Sequence, residues 1–366
     1  MIRRLFPALL LLFLWAPHAR GAPLDTSEFP SLLSSLRAIG PLQFCHEPVP
    51  LDNPEVRERL EKEMLLSLWD RAQVILWIKR SSRYLPYIEN MLQTQGLPDD
   101  LKFVAVAESA LRPHAGSSKG AVGFWQFLPD TARRNGLAVN RRIDERRNIF
   151  ASTRAALGYL KMLYRRFGSW ALAAAAYNMG EDGLAAEILD QETKNYYRLY
   201  LPLETQRYLF RILSVKLIFS DSARYGFRVR PEDCYAPLQF DRVRVTCRDD
   251  IPIRIIARAA QTDFKTIKDL NPEIRGYGLA PGSYDILIPK GAGKGFEARY
   301  NKLVKAFFSN REEWIYTVKR GDNLSFIAEK FNVPLTSVLR WNKLDPARPI
   351  RPGDRLIIYG KRPHRR

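Results

Sequence analysis

Asp99-Asp100-Leu101-Lys102-Phe103-Val104-Ala105-Val106-Ala107-Glu108-Ser109-Ala110-Leu111 is the stretch on which the reading of this chain turns. Pro98 and the two aspartates suit a helix start, because acids there favour the helix dipole, and Pro113 marks a stop. Leu101, Val104 and Leu111 lie seven, four and three residues from Glu108 and share its helix face. Glu108 is thus the sole charged residue on an apolar stripe, near the carbonyl end of the helix. Desolvation and the negative end of the dipole both disfavour its anion. A carboxyl kept protonated near neutrality is what a general acid needs. The alternative is a buried glutamate paired to an arginine, and helix geometry by itself leaves both open.

Outward from this helix, residues 53–221 read as helical nearly throughout. Ala156, Leu160, Leu163 and Phe167 mark one apolar face, with Gly168 at the expected stop. Between Glu108 and that face lies Gly116-Ser117-Ser118-Lys119-Gly120-Ala121-Val122-Gly123-Phe124-Trp125-Gln126-Phe127-Leu128-Pro129. Turn-forming residues and a glutamine between aromatics suit a loop where backbone and amide meet a sugar. Further on, Trp170-Ala171-Leu172-Ala173-Ala174-Ala175-Ala176-Tyr177-Asn178-Met179-Gly180 is an alanine helix. Its Asn178 either turns an amide to a cleft or belongs to an Asn-Gly type stop.

From about Pro231 the texture changes to short β-type runs, with turn signals at Asn271-Pro272, Pro281-Gly282 and Pro352-Gly353. This zone repeats itself. A shift of 71 residues lays Thr246 on Thr317, Ile256-Ala257 on Ile327-Ala328, Asn271 on Asn342 and Ile286 on Ile357. Two α/β modules of about 45 residues follow from it.

The second copy resembles a LysM domain, a small βααβ module that binds glycans containing N-acetylglucosamine. The resemblance rests on Tyr316-Thr317-Val318-Lys319-Arg320-Gly321-Asp322-Asn323-Leu324, then Ile327-Ala328, Trp341-Asn342 and Ile350-Arg351-Pro352-Gly353-Asp354-Arg355-Leu356. It implies glycan contacts by Gly321, Asp322, Asn323, Leu324 and Asn342. Gly321 suits a turn, and Asp322 is expected to cap the helix beginning at Leu324. In the first copy Asp250-Ile251 replaces Gly-Asp and Pro252 replaces Asn323, so the fold is expected there without glycan binding being implied.

Four motifs in order resemble the lytic transglycosylases of goose-type lysozyme-like fold, of the membrane-bound murein transglycosylase D type. They are Glu108-Ser109-Ala110, Gly120 to Pro129, Ala176-Tyr177-Asn178 and Tyr200-Leu201-Pro202-Leu203-Glu204-Thr205-Gln206-Arg207-Tyr208. Asp144-Glu145-Arg146-Arg147 also looks like the family. Met179 before Gly180, and Phe124 before Trp125, depart from its commoner pattern. The resemblance implies a mainly α lysozyme-like catalytic domain, followed by the two small βααβ LysM-type modules, the first degenerate. It implies cleavage of the β-1,4 bond between N-acetylmuramic acid and N-acetylglucosamine without water, metal or organic cofactor. Glu108 would serve as acid and then base. Gln126 and Asn178 would bind the glycan, Ser118 and Tyr177 would line the cleft, and Tyr208 would close its floor, while Glu204 would be a structural partner. The rivals are a hydrolytic muramidase and a non-catalytic peptidoglycan-binding scaffold.

Composition and termini fit this. The chain of 366 residues is 46% hydrophobic and 27% charged, which excludes a disordered, collagen-like or polytopic membrane protein. Its net charge of +19 calls for an anionic partner. Arg3-Arg4, the apolar run from Leu5 to Ala16 and small residues at Ala19, Gly21 and Ala22 read as a secretory signal, too short for a membrane span. Pro23 disfavours a cut after Ala22, so Ala19 is a competing site and an uncleaved anchor stays open. Export to the periplasm or envelope argues against nucleic acid and for glycan strands of peptidoglycan, with no membrane span beyond the signal. Cys234 and Cys247 are spaced to close a loop, or either pairs with Cys45, and no Cys/His spacing suggests zinc. The expected organisation is a signal at 1–22, an N-terminal helical extension at 23–80 and the catalytic domain at 81–222. The degenerate module at 240–290, a linker at 291–312, the LysM module at 313–360 and a basic tail at 361–366 follow.

Overall fold

The computed structural model describes residues 29–37, 39–309, 313–342, 344–345 and 349–359. The signal at 1–22 and the tail at 361–366 lie outside the described residues. The first body runs α1 (Leu32–Arg37), β1 (Gln43–Phe44), β2 (Glu47–Pro48), α2 (Pro54–Trp69), α3 (Arg71–Thr94) and α4 (Lys102–Ser109). It continues through α5 (Pro129–Arg134), α6 (Ile149–Phe167), α7 (Trp170–Met179), α8 (Glu181–Asp190) and α9 (Leu203–Ser220).

Helix α9 is the axis of this body: Tyr208, Leu209, Phe210, Ile212, Leu213, Val215 and Ile218 are all buried, and α2, α4 and α7 pack on it. The alanine helix α7 is buried from Trp170 to Ala176, and its small side chains let α6, α8 and α9 close around it. Helix α6 starts on the Asn148 cap, buries Ala156, Leu160 and Leu163, and ends on Gly168 in the left-handed conformation, as its periodicity predicts. The described part of the segment expected as a helical extension, 29–80, shares the apolar core of the domain that follows. Its hairpin β1–β2 sends Glu47 to the start of α7, where the carboxylate accepts from Trp170 N at 2.7 Å and Ser169 Oγ at 2.8 Å. That is an anion at a helix N-terminus, joined to the same apolar core.

The first repeat comprises β3 (Phe240–Cys247), β4 (Ile251–Pro252), α10 (Ile253–Ala259), α11 (Phe264–Leu270), β5 (Gly278–Leu279) and β6 (Gly282–Pro289), with β3 antiparallel to β6. The segment expected as a linker at 291–312 instead contains a helix, α12 (Phe296–Ser309). It closes the first module's core with Phe296 and Tyr300. The second repeat has β7 (Glu313–Thr317), α13 (Leu324–Lys330), α14 (Leu335–Trp341) and β8 (Arg355–Tyr359). Its two helices fall 71 residues after α10 and α11.

The asparagine of each copy holds the last strand. Asn271 bonds the backbone N–H and C=O of Leu287, both at 2.8 Å, and Asn342 does the same at Ile357, at 2.6 and 2.8 Å. Those strand residues lie one position off the uniform shift. The three cysteines are free, with Cys45 and Cys247 buried in different cores, so none of the pairings open in the sequence is formed.

Candidate active site

Helix α4 ends earlier than Pro113 predicts. Ser109 is its last residue, and Ala110 and Leu111 both take left-handed backbone angles, at φ 54° and 57°. The cause is tertiary. The buried Ser109 hydroxyl bonds Phe124 O at 2.7 Å, Arg112 Nε donates to Ser109 O at 3.1 Å, and Arg80 donates to Ala110 O at 3.2 Å. Such strain persists only where surrounding contacts over-determine it. Glu108 therefore stands in the last turn, on a stripe whose Leu101 and Val104 are buried, while Leu111 is buried beyond the helix end.

Glu108 is half-buried, and its Oε1 accepts the Tyr208 hydroxyl at 2.5 Å. Burial raises its carboxyl to about 7. The Tyr208 hydrogen bond and the Arg211 charge work against that rise, and Glu204 adds to it. Tyr208 is itself held well above the usual phenol range by burial and by the facing carboxyl, so it stays a donor. Arg211 is turned to other acids, lying 3.9 Å from Glu63 and 3.8 Å from the exposed Glu204. The arginine-paired alternative weighed for Glu108 is met by Glu63, which is buried and takes Arg207 at 2.5 Å.

Tyr177 packs against the rings of Phe127 and Tyr159, donates to Trp125 O at 2.7 Å, and feels the charge of Glu108. Asn178, next on α7, accepts the Thr205 hydroxyl from α9 at 2.9 Å through its Oδ1, which leaves its NH2 group to donate. Gln126 sits at φ 48° and spends its NH2 on Gly123 O (2.8 Å) and Ala115 O (3.2 Å), so its Oε1 is the end left for a ligand. Ser118 is exposed on the same loop.

One support escaped the sequence reading, although Asp144-Glu145-Arg146-Arg147 was singled out there. Arg146 is buried, grips Asp144 through two bonds of 2.8 and 2.9 Å, and donates to Gly120 O and Phe127 O at 3.0 Å each. It thereby fixes both ends of the turn that carries Gln126. Gly123 has φ 86°, and a Cβ there would lie 1.9 Å from Arg146 O, so only glycine fits.

In the second module the cap of α13 is Asn323, whose Oδ1 accepts Phe326 N at 2.8 Å. Asp322, expected as that cap, instead accepts Lys319 N and the Tyr316 hydroxyl at 2.7 Å each. The turn residue takes the nearer donors of its own turn, and Asn323 is the residue adjoining the helix. Gly321 turns at φ 88°, and Leu324 packs on the module core.

The half-buried acid at a helix end, the tyrosine bonded to it and the braced glycine loop lie together on one helical body. The model of the transglycosylase SLT domain matches residues 86–199, and that of the LysM domain matches residues 316–358. The membrane-bound lytic murein transglycosylase D of Escherichia coli (strain K12) is 30% identical over 321 residues, which cover 84% of this chain and 69% of that relative. The chain belongs to the lytic murein transglycosylase family. Among solved structures it is similar to the 70 kDa soluble lytic transglycosylase of Escherichia coli (TM-score 0.36, 18% identity, 49% of this chain and 31% of that one). It is also similar to an inactive mutant of the lytic transglycosylase Slt from Pseudomonas aeruginosa (TM-score 0.31, 19% identity, 50% and 31%). The match spans under a third of the length of these two structures.

Proposed function

We propose that this chain is a peptidoglycan lytic transglycosylase of the cell envelope, with Glu108 as its one acid–base group. The observation that carries this reading is the Glu108 carboxyl, raised to about 7 and bonded to a neutral tyrosine rather than to a guanidinium. Protonated, Glu108 donates to the oxygen that leaves C1 of N-acetylmuramic acid, and the C1–O bond breaks. Its carboxylate then takes the proton of that sugar's C6 hydroxyl as O6 bonds to C1. The result is a 1,6-anhydro end, with Glu108 protonated again and no water consumed. An intramolecular hydroxyl needs no second carboxylate, because proximity replaces its activation. Most glycosidases flank the bond with two. Glu204, the other carboxylate felt at Glu108 among the described residues, is exposed beside Arg211, which supports the one-acid mechanism.

Tyr208 orients the acid from the cleft floor. Gln126 Oε1 and the Asn178 NH2 group hydrogen-bond the glycan and its acetamido groups, with Ser118 and Tyr177 lining the walls. In the second module the turn from Gly321 to Leu324 meets N-acetylglucosamine, and Asn342 acts by holding β8 rather than by touching sugar. We assign the chain to the periplasm, reached through the segment 1–22. That placement rests on the sequence of the segment and on the glycan module. Among the described residues no helix is long and apolar enough to cross a membrane.

Mass spectrometry of the products from purified peptidoglycan tests this, with the Glu108→Gln variant beside the parent. Products lighter by one water, absent with the variant, are expected. Hydrated ends would make the chain a muramidase, and no cleavage with wall sedimentation intact would make it a scaffold.

A further inference from the structure

The first repeat departs from the second at the turn before its first helix, and the residues found there have another use. Where the second copy has Gly321-Asp322-Asn323, the first has Asp250-Ile251-Pro252. Asp250 pairs with Arg142 of the catalytic body, and Ile251 is buried against β5. Beside that ion pair the two bodies form a short antiparallel ladder. Asp144 N donates to Glu273 O at 2.8 Å, Arg275 N donates to Arg142 O at 2.8 Å, and Ile143 faces Ile274 between them. Ile143 packs into the apolar core of the module, and Phe240 of β3 meets Phe150 of α6 edge-on at 5.5 Å between centroids.

The catalytic side of this ladder is Asp144, whose carboxylate holds Arg146, which in turn holds Gly120 and Phe127. We propose that the first module is a docked buttress of the active site: its edge at Glu273–Arg275 positions, through Asp144 and Arg146, the loop that carries Gln126. The module trades a glycan-binding turn for a docking turn and becomes part of the catalytic unit. Asp144 is the positioning residue at the joint, where one residue bonds the module with its backbone and the loop brace with its side chain. This inference rests on the active-site reading above for its kinetic consequence, but not for its structural one.

The test is a pair of full-length variants at Arg275, whose side chain is exposed. Arg275→Pro deletes the N–H that bonds Arg142 O, and Arg275→Ala keeps it. Hydrogen exchange is read at Val122 and Gly123, whose amides bond Phe127 O and Ala115 O within the loop. Both should exchange at least tenfold faster in Arg275→Pro and be unchanged in Arg275→Ala. On peptidoglycan, kcat should fall at least fivefold for the proline variant, with KM within about twofold. Equal loop protection in the two variants overturns the proposal. Should Arg275→Pro melt the module, seen at the Leu287 amide, the loop must loosen all the same, and a loop still protected beside a melted module also overturns it. A parent protein without activity sinks the active-site reading and leaves the exchange result to decide this one.

Discussion

Two adjacent residues of α9 serve two glutamates, the buried Glu63 and the half-buried Glu108, on different sides of the helix. Arg207 takes Glu63 from α2, and Tyr208 takes Glu108 from α4, each at 2.5 Å. The contacts are equally short, yet their chemistry differs. A guanidinium brings a full charge and five donors, so Glu63 is held as an ion pair that ties α2 to α9. A phenol brings one donor and no charge, so the Glu108 carboxyl stays near the point where it both gives and takes a proton. A third glutamate, the buried Glu273, has an oxygen without a hydrogen-bond partner, and burial raises its carboxyl to about 7 as well. A raised carboxyl alone therefore does not mark a catalyst. Glu108 differs from Glu273 in being only partly buried and in facing the Tyr208 hydroxyl.

The sharpest way to break this comparison is to exchange roles. Glu108→Gln should lower kcat by at least a thousandfold, about 4 kcal/mol of barrier, with the unfolding midpoint in urea close to that of the parent. Glu63→Ala should do the reverse. It removes the charged hydrogen bond to Arg207, itself 38% exposed, and costs about 2 kcal/mol of stability, while kcat per folded molecule stays within about threefold. Urea titration beside active-site titration separates the two, and a collapse of kcat in folded Glu63→Ala would erase the distinction.

Glu273 makes the stability of the joint between the bodies depend on pH. Its folded carboxyl is raised above its unfolded value of 4.5, so its contribution is fully present below pH 4.5 and is lost as pH rises through about 7. The shift corresponds to a loss on the order of 3 kcal/mol across that window. Glu273→Gln should flatten this part of the slope in denaturant melts run from pH 4.5 to 7.5. An unchanged slope would mean that the carboxyl is not titrating where its burial places it.

The smallest effect is expected at the tyrosine. In the parent, kcat/KM should fall as pH rises above about 7, because the acid must enter the first step protonated. Tyr208→Phe removes a hydrogen bond that favours the carboxylate, so the falling limb should move to higher pH while kcat drops by about tenfold through lost orientation. A limb moving the other way would contradict the assignment.

How far the sequence carried this reading depends on which kind of contact did the work. Glu108 was legible because part of its surroundings is local, set by Val104 on the same helix and by Leu101 at that helix's N-cap. The early end of α4 was not, because it is enforced by Phe124 O and Arg80, which are remote along the chain. Tyr208 lies a hundred residues from Glu108 and entered only through a motif. The buttress was only half visible: its ladder bonds run between backbone groups of residues 142–144 and 273–275, which leave no mark on residue type, whereas Asp250 showed as a departure from the second copy. The missed helix α12 did carry a signal. Phe296, Tyr300, Leu303, Val304 and Phe307 repeat at helical spacing, masked by the glycines before them.

That helix sets the reach of the terminal module. Three residues separate the end of α12 at Ser309 from the start of β7 at Glu313, so the four steps from one Cα to the other can span at most about 14 Å. Chain length alone therefore keeps the start of the second module within that distance of the end of α12. On the proposed function, a glycan strand held by this module would be presented to the active site at an effective concentration on the order of millimolar, whatever the concentration of free strands. Lengthening this connection would dilute that supply without altering a single contact.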